Sequence, residues 1–229
     1  MTTDFARPSD RAPAGTSLAA KLVNMWASPG DVFDEVVAAP PRTLNWLVPM
    51  VLACLISLLV LGVFTNKEQA TTVTAGKTTA AQEGTLVTSW HVTAVLASCG
   101  AVVLGTLWSA FVLWVMGRVL LKSRFAFIKA LEVVSLTGMI MALGLVVTAL
   151  LILASGDVTT RPALSISLRQ LESGDPLRVA LDAVNVFHIW MTVVLAVGLR
   201  KLSKGSFSEA AFWVFSYWIL TRLGLILLA

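Results

Sequence analysis

Five long apolar segments constrain this chain more than any other feature of its sequence. A helix needs roughly 20 apolar residues to cross the hydrocarbon core of a bilayer, and these segments have about that length: 46–64, 92–120, 127–154, 184–199 and 210–228. Charged residues make up only 13% of the chain, about half their share in a soluble domain. The sequence therefore predicts an all-α, polytopic integral membrane protein, a five-helix bundle in residues 46–229.

The distribution of Lys and Arg predicts how the bundle is oriented. Cationic loops resist translocation across a membrane, whereas acidic residues have little influence. Of the 17 Lys and Arg residues, eleven lie in the amino-terminal segment and in the short turns after the second and fourth spans, and five lie in the two longer loops. We therefore expect a protein of the inner (plasma) membrane with a cytoplasmic amino terminus and a carboxy terminus outside. This topology also accounts for the net charge of +4, and no motif indicates a nucleic-acid partner.

The segment before the first span predicts two short amphipathic helices within residues 18–45. Apolar residues recur at helical spacing, the pattern breaks at residues 28–30, and it then resumes. Such helices are typical of the membrane interface, and packing of the pair as a helical hairpin on the inner turns is the alternative. The candidate partner surface consists of Leu22, Met25, Trp26 and Phe33. Residues 1–17, rich in Thr, Pro, Ala and Asp, are expected to form a disordered tail.

A few polar residues fall at membrane depth, where an ionisable side chain is costly. On the fourth span, the helical period brings four of them to one side, and Arg222 lies at a matching depth on the fifth. The predicted polar cluster consists of Asp182, Asn185, His188, Thr192 and Arg222. A structural polar contact, with Arg222 reaching to the headgroups, is the alternative interpretation. Near the cytoplasmic side, Glu132 follows Lys129 by one helical turn and could pair with it or with Arg118.

Small residues mark the surfaces along which membrane helices approach closely. Ala97, Ala101, Gly105 and Ser109 recur every four residues along the second span. We expect this face to form the central seam of the bundle, or, as the alternative, a homodimer contact. Ser135, Gly138 and Ala142 form a shorter version on the third span.

The sequence shows no catalytic constellation. It has no paired carboxylates within the bundle, and its two histidines have no metal-ligand spacing. We therefore expect no enzymatic activity, no metal and no cofactor.

Several short motifs resemble the Yip-domain proteins, a five-span membrane family, in its prokaryotic branch. The similar pieces are Trp26-Ala27-Ser28-Pro29 followed by Phe33, Ser89-Trp90, the basic turn at 118–129, and Asp182 followed by Val186-Phe187-His188-Ile189-Trp190 and Gly198-Leu199. The resemblance covers about residues 20–229 and implies a compact five-helix bundle with a cytoplasmic amino terminus. In eukaryotic relatives it implies vesicle trafficking and binding of small GTPases.

Two hypotheses of function follow. The first is a non-enzymatic membrane protein that organises partners at the membrane, with the cytoplasmic amphipathic segment as its contact surface; the partners are bilayer lipids, another membrane protein or a second copy in a homo-oligomer. The alternative is a small transporter or channel that binds a polar or anionic solute at the polar cluster in the outer half of the bundle.

Overall fold

The fold was obtained as a computed structural model, which describes residues 16–74, 83–156, 160, 162 and 185–228. Within these residues the regular structure is helical and includes no β-strand. The helices are α1 (Leu18–Ala27), α2 (Pro29–Ala38), α3 (Thr43–Thr74), α4 (Glu83–Val115), α5 (Phe127–Ser155), α6 (Val186–Ser203) and α7 (Phe207–Leu228). A π-helical turn, Met116–Leu120, extends α4. The all-α fold class is confirmed, and the predicted tail lies almost wholly outside the described residues.

Four of these helices are long and apolar enough to cross a membrane. Their spanning segments are Thr43–Thr65, Val92–Leu120, Phe127–Ser155 and Val186–Ser203. They agree with the first four predicted spans within a few residues at each end. The fifth predicted span corresponds to α7, which is helical over 22 residues, and the count of five spans stays a prediction.

The helix ends follow from local sequence. The Ser17 hydroxyl caps α1 by accepting a hydrogen bond from Ala20 N, and Pro29 occupies the first turn of α2, where its missing N–H costs nothing. Ser206 Oγ accepts from Glu209 N at the start of α7, as expected for an N-cap. Gly156 ends α5 with φ of 73°, a left-handed conformation that suits glycine.

Helix α5, not α4, is the centre of the bundle. It packs against α1, α2, α3, α4 and α6, and 44% of its spanning window is buried, compared with 6% for α4. The predicted seam on α4 is therefore wrong: Ala97, Ala101 and Gly105 are exposed, and Ser109 is half-buried. Small residues allow a close helix approach but do not impose one. On α5, in contrast to α4, the small residues Ser135 and Ala142 are buried.

The hairpin formed by α1 and α2 is part of the core. Helix α1 packs on α5, and α2 packs on both α5 and α6. Gly198 of α6 leaves room for two neighbours, because a Cβ there would come within 2.4 Å of Val133 Cγ1 on α5 and 3.3 Å of the Phe33 ring on α2. The structure shows the pair packed as a hairpin on the bundle, with Met25, Val32, Phe33 and Val36 of its apolar stripe buried against protein. Where the hairpin lies relative to the membrane interface stays a prediction.

Candidate functional site

A buried ion pair fastens the hairpin to the bundle. Lys129 and Glu132, one turn apart at the start of α5, lie with Nζ and Oε2 2.8 Å apart. The Lys129 ammonium also donates to the carbonyl oxygens of Val36 and Ala39, each at 2.7 Å. These carbonyls end α2, where the helix leaves its last C=O groups without partners and carries partial negative charge. One cation therefore satisfies carbonyl oxygens at the end of α2 and is ion-paired with Glu132.

The Glu132 carboxylate also binds the segment that leads from α2 into α3. Its other oxygen, Oε1, accepts from Arg42 N at 2.7 Å and from Asn45 Nδ2 at 3.0 Å. Glu132 is fully buried and Asn45 is 4% exposed. A buried carboxylate is tolerated only when it is paired and hydrogen-bonded, and this one is both. The sequence left Lys129 and Arg118 open as partners of Glu132, and the structure has Lys129; nothing in the sequence indicated that this pair holds the junction of α2 and α3.

Two further ion pairs lie on the hairpin. Lys21, itself buried, pairs with Glu35 at 3.6 Å and so joins α1 to α2. Lys201 pairs with Asp34 and joins the end of α6 to α2. Desolvation would raise the pKa of Glu35, but the hydrogen bond from Thr16 N and the charge of Lys21 outweigh it and leave that pKa below its usual range.

The predicted partner surface must be corrected for two of its four residues. Met25 and Phe33 are completely buried, because their stripe packs against the helices of the bundle, and they present no surface to a partner. Leu22 is partly buried against the same core. Trp26 is 37% exposed, while its indole N–H donates to the carbonyl oxygen of Met139 on α5 at 3.3 Å.

The exposed side of α1 nevertheless carries two large apolar side chains. Val23, which the sequence analysis did not select, is 59% exposed and lies one helical turn before Trp26. Helix α1 also contacts α3, whose first turn exposes 60% of Leu44. Val23 and Trp26, which we call the α1 outer face, remain available for contact. The α1 outer face differs from the core residues of α1 only in that the core residues lie on the side of the helix that packs against the bundle. The periodicity of the sequence did not indicate which side of α1 would pack.

The predicted polar cluster is only partly assembled. Asn185 has an extended backbone and caps α6 by accepting from Phe187 N at 2.9 Å, so it does not lie on a helix face with His188. Thr192 is buried, and its hydroxyl donates to the His188 carbonyl at 2.7 Å. Thr192 and Arg222 line one cavity, and His188 is not among the residues that line it. Asp182 lies outside the described residues.

Arg222 lines a cavity of about 170 Å³ enclosed by α4, α6 and α7. Thr192, Trp218 and Thr221 line the same cavity. Within the described part of the chain, Arg222 has no hydrogen bond or ion pair, and the buried Trp218 Nε1 has no hydrogen-bond partner. Arg222 and Trp218 therefore bring a cation and an N–H donor to the wall of this cavity.

These features define an all-helical membrane protein with a docked hairpin at one end of the bundle. A model of the Yip1 domain matches residues 23–229, so the chain belongs to the Yip1-domain family, as the resemblance predicted. Comparisons with curated proteins and with solved structures found no match to this chain.

Proposed function

We propose that the protein is a non-enzymatic membrane protein that organises protein or lipid partners, and that the α1 outer face is its contact surface. In this proposal the hairpin lies at the cytoplasmic side of the plasma membrane and the carboxy terminus outside. The observation that carries it is the exposure of Val23 and Trp26 on a helix that is otherwise fixed to the core. A rigid apolar surface loses little entropy when a partner binds.

The charges around the hairpin support this orientation. The start of α5 and the end of α6 both meet α2, through Lys129 and Lys201. The short basic turns at these two helix ends therefore lie with the hairpin, and such turns favour the cytoplasmic side.

Native mass spectrometry of the protein released gently from its own membrane tests the proposal. We expect a protein or lipid companion at fixed stoichiometry with the wild type and its loss with Val23→Asp, which places a charge on the apolar face. Ala38→Asp is the matched control, because it adds the same charge at an exposed position of α2. A wild type without a companion, or equal retention by Val23→Asp, would contradict the proposal. Deletion of residues 18–37 is a poor test, because it removes the buried Met25 and Phe33.

The cavity at Arg222 favours a second candidate, a transporter or channel for a polar or anionic solute. An intramembrane arginine that faces a cavity is by default a candidate for a solute pathway. Against this candidate, a substrate site of this kind is usually built from broken helices. Helix α6 is continuous along its length, and α7 is continuous from its first turn through Arg222. Flux of chloride or inorganic phosphate into proteoliposomes that disappears with Arg222→Leu would support transport. Absence of flux in the wild type would oppose it for these two anions.

A further inference from the structure

Two cavities meet in the middle of the bundle, where α4 stands apart from α6. The cavity at Arg222 shares Ser109, Met191 and Leu195 with a second cavity of about 200 Å³, which Gly105 and Gly138 also line. Helix α4 packs mainly on α3 and α5, so this gap is not closed by side chains. The two spaces adjoin at these three shared residues.

The chemistry of the Arg222 cavity changes along its length. Arg222 lies at one end, and the buried N–H of Trp218, which has no partner among the described residues, lies one helical turn closer to the middle. Val214 and Met116 line the other end, and Val214 lies roughly 12 Å from Arg222 along α7, at 1.5 Å per residue. The space is thus cationic at one end and apolar at the other.

The cavity borders on the lipid through the gap between α4 and α7. Helix α7 packs mainly on α6, and its described link to α4 is the hydrogen bond from Trp108 Nε1 to Tyr217 Oη at 2.8 Å. Trp108 is 58% exposed and Thr221 is exposed. A molecule dissolved in the bilayer could therefore enter sideways beside this hydrogen bond.

We infer that this space binds one single-chain amphiphile with an anionic head, such as a fatty acid, with its carboxylate at Arg222 and its hydrocarbon chain between α4 and α6. Charge complementarity selects the head, because a guanidinium binds a carboxylate through parallel N–H donors. The volume fits part of the chain: an engineered cavity of about 150 Å³ holds a benzene molecule, so the two cavities accommodate on the order of twelve carbon atoms.

This inference shares its site with the transport candidate and does not involve the α1 outer face. Binding without flux would contradict transport and leave the inference intact. Loss of the companion from Val23→Asp has no bearing on either.

Binding of palmitate to the purified full chain in detergent, measured by native mass spectrometry, tests the inference. We expect one palmitate per chain and a dissociation constant for palmityl alcohol, which has the same chain and a neutral head, at least about tenfold higher, as a hydrogen bond to a charged group implies. Acetate, an anion without a chain, is expected not to compete. Arg222→Leu should weaken palmitate binding at least about tenfold, and Arg222→Lys, which keeps the charge, by less.

A second pair of variants tests where the chain lies. Ser109→Leu fills the space shared by the two cavities and should weaken palmitate binding, whereas Ala101→Leu adds similar volume at an exposed position of the same helix and should not. Arg222→Leu removes a charge that is costly in a membrane, so loss of binding through misfolding is not expected, and the melting temperature of each variant checks this. Equal binding of palmitate and its alcohol, equal effects of the two leucine variants, or a second protein chain in place of the fatty acid would overturn the inference.

Discussion

Replacing Lys129 with methionine should strongly destabilise the protein. The substitution keeps a long apolar side chain but leaves the Glu132 carboxylate, which is fully buried, without its cation. It also frees the carbonyl oxygens of Val36 and Ala39, which accept from the ammonium. Removing one member of a buried pair costs about 3–5 kcal/mol, so we expect the free energy of unfolding to fall by about that amount.

The double variant Lys129→Met/Glu132→Gln separates pairing from packing. Glutamine keeps an oxygen that can accept from Arg42 N and Asn45 Nδ2, but it removes the uncompensated charge. We therefore expect the double variant to be more stable than Lys129→Met alone, by about 0.5–3 kcal/mol, the range of interaction energies for residues in direct contact. The assay is equilibrium unfolding in mixed detergent and SDS micelles, followed by tryptophan fluorescence. A loss of about 0.5 kcal/mol or less for Lys129→Met, as for a surface substitution, would refute the reasoning, and so would a double variant less stable than the single.

Three further predictions concern the hairpin. Gly198→Ala should cost about 1–3 kcal/mol through overpacking, because the new methyl would meet Val133 Cγ1 at 2.4 Å; Gly62→Ala, a helical position with nothing within 4 Å, is the control and should be neutral or stabilising in the same unfolding assay. Phe33→Ala should lower the free energy of unfolding by about 3–5 kcal/mol, since the ring is fully buried, and a wild-type value would place the ring at the surface. The folded pKa of Glu35 lies below its usual range, so the contribution of Glu35 to stability is present at neutral pH and is lost on acidification. From about pH 5 to about pH 3, the melting temperature of the wild type should therefore fall more than that of Glu35→Gln. Equal falls would argue against the contacts of Glu35 with Thr16 and Lys21.

The spans and the fold class could be predicted because a bilayer imposes its own rule on the sequence. A spanning helix must satisfy its backbone internally and be apolar over about 20 residues. That requirement does not depend on neighbouring helices, so hydropathy alone located the spanning segments of α3, α4 and α5 to within a few residues. Helix ends with local capping, such as Ser206 with Glu209, depend on residues only three positions apart and are as open to sequence reasoning as the spans.

Packing between helices was not accessible in the same way. A stripe of small residues is compatible with close contact or with a cavity, and on α4 Gly105 and Ser109 line a cavity. The amphipathic stripe of α1 and α2 is likewise compatible with lipid or with protein. What decides between these is the shape of the opposite surface, here the notch at Gly198 and the cation of Lys129, which the hairpin's own sequence does not contain.

In the candidate site, too, local contacts could be predicted from the sequence and contacts between distant segments could not. The pairing of Lys129 with Glu132 could be predicted because it is local, one turn within α5. The backbone carbonyls that Lys129 also binds lie about 90 residues earlier in the chain, and no residue type marks them. The spacing predicts Asn185 on a helix face, whereas its side chain caps the first turn of α6.

Amide hydrogen exchange of the wild type in lipid nanodiscs, read by mass spectrometry, tests most directly whether the hairpin belongs to the core. Amides of the buried core exchange only through large-scale opening, whereas those of weakly held segments exchange through local opening. If the hairpin is locked to α5 and α6, residues 21–37 should exchange as slowly as residues 130–140 of α5. Exchange of residues 21–37 within seconds, while α5 stays protected, would show that α1 and α2 rest loosely on the membrane surface and would contradict the docked hairpin.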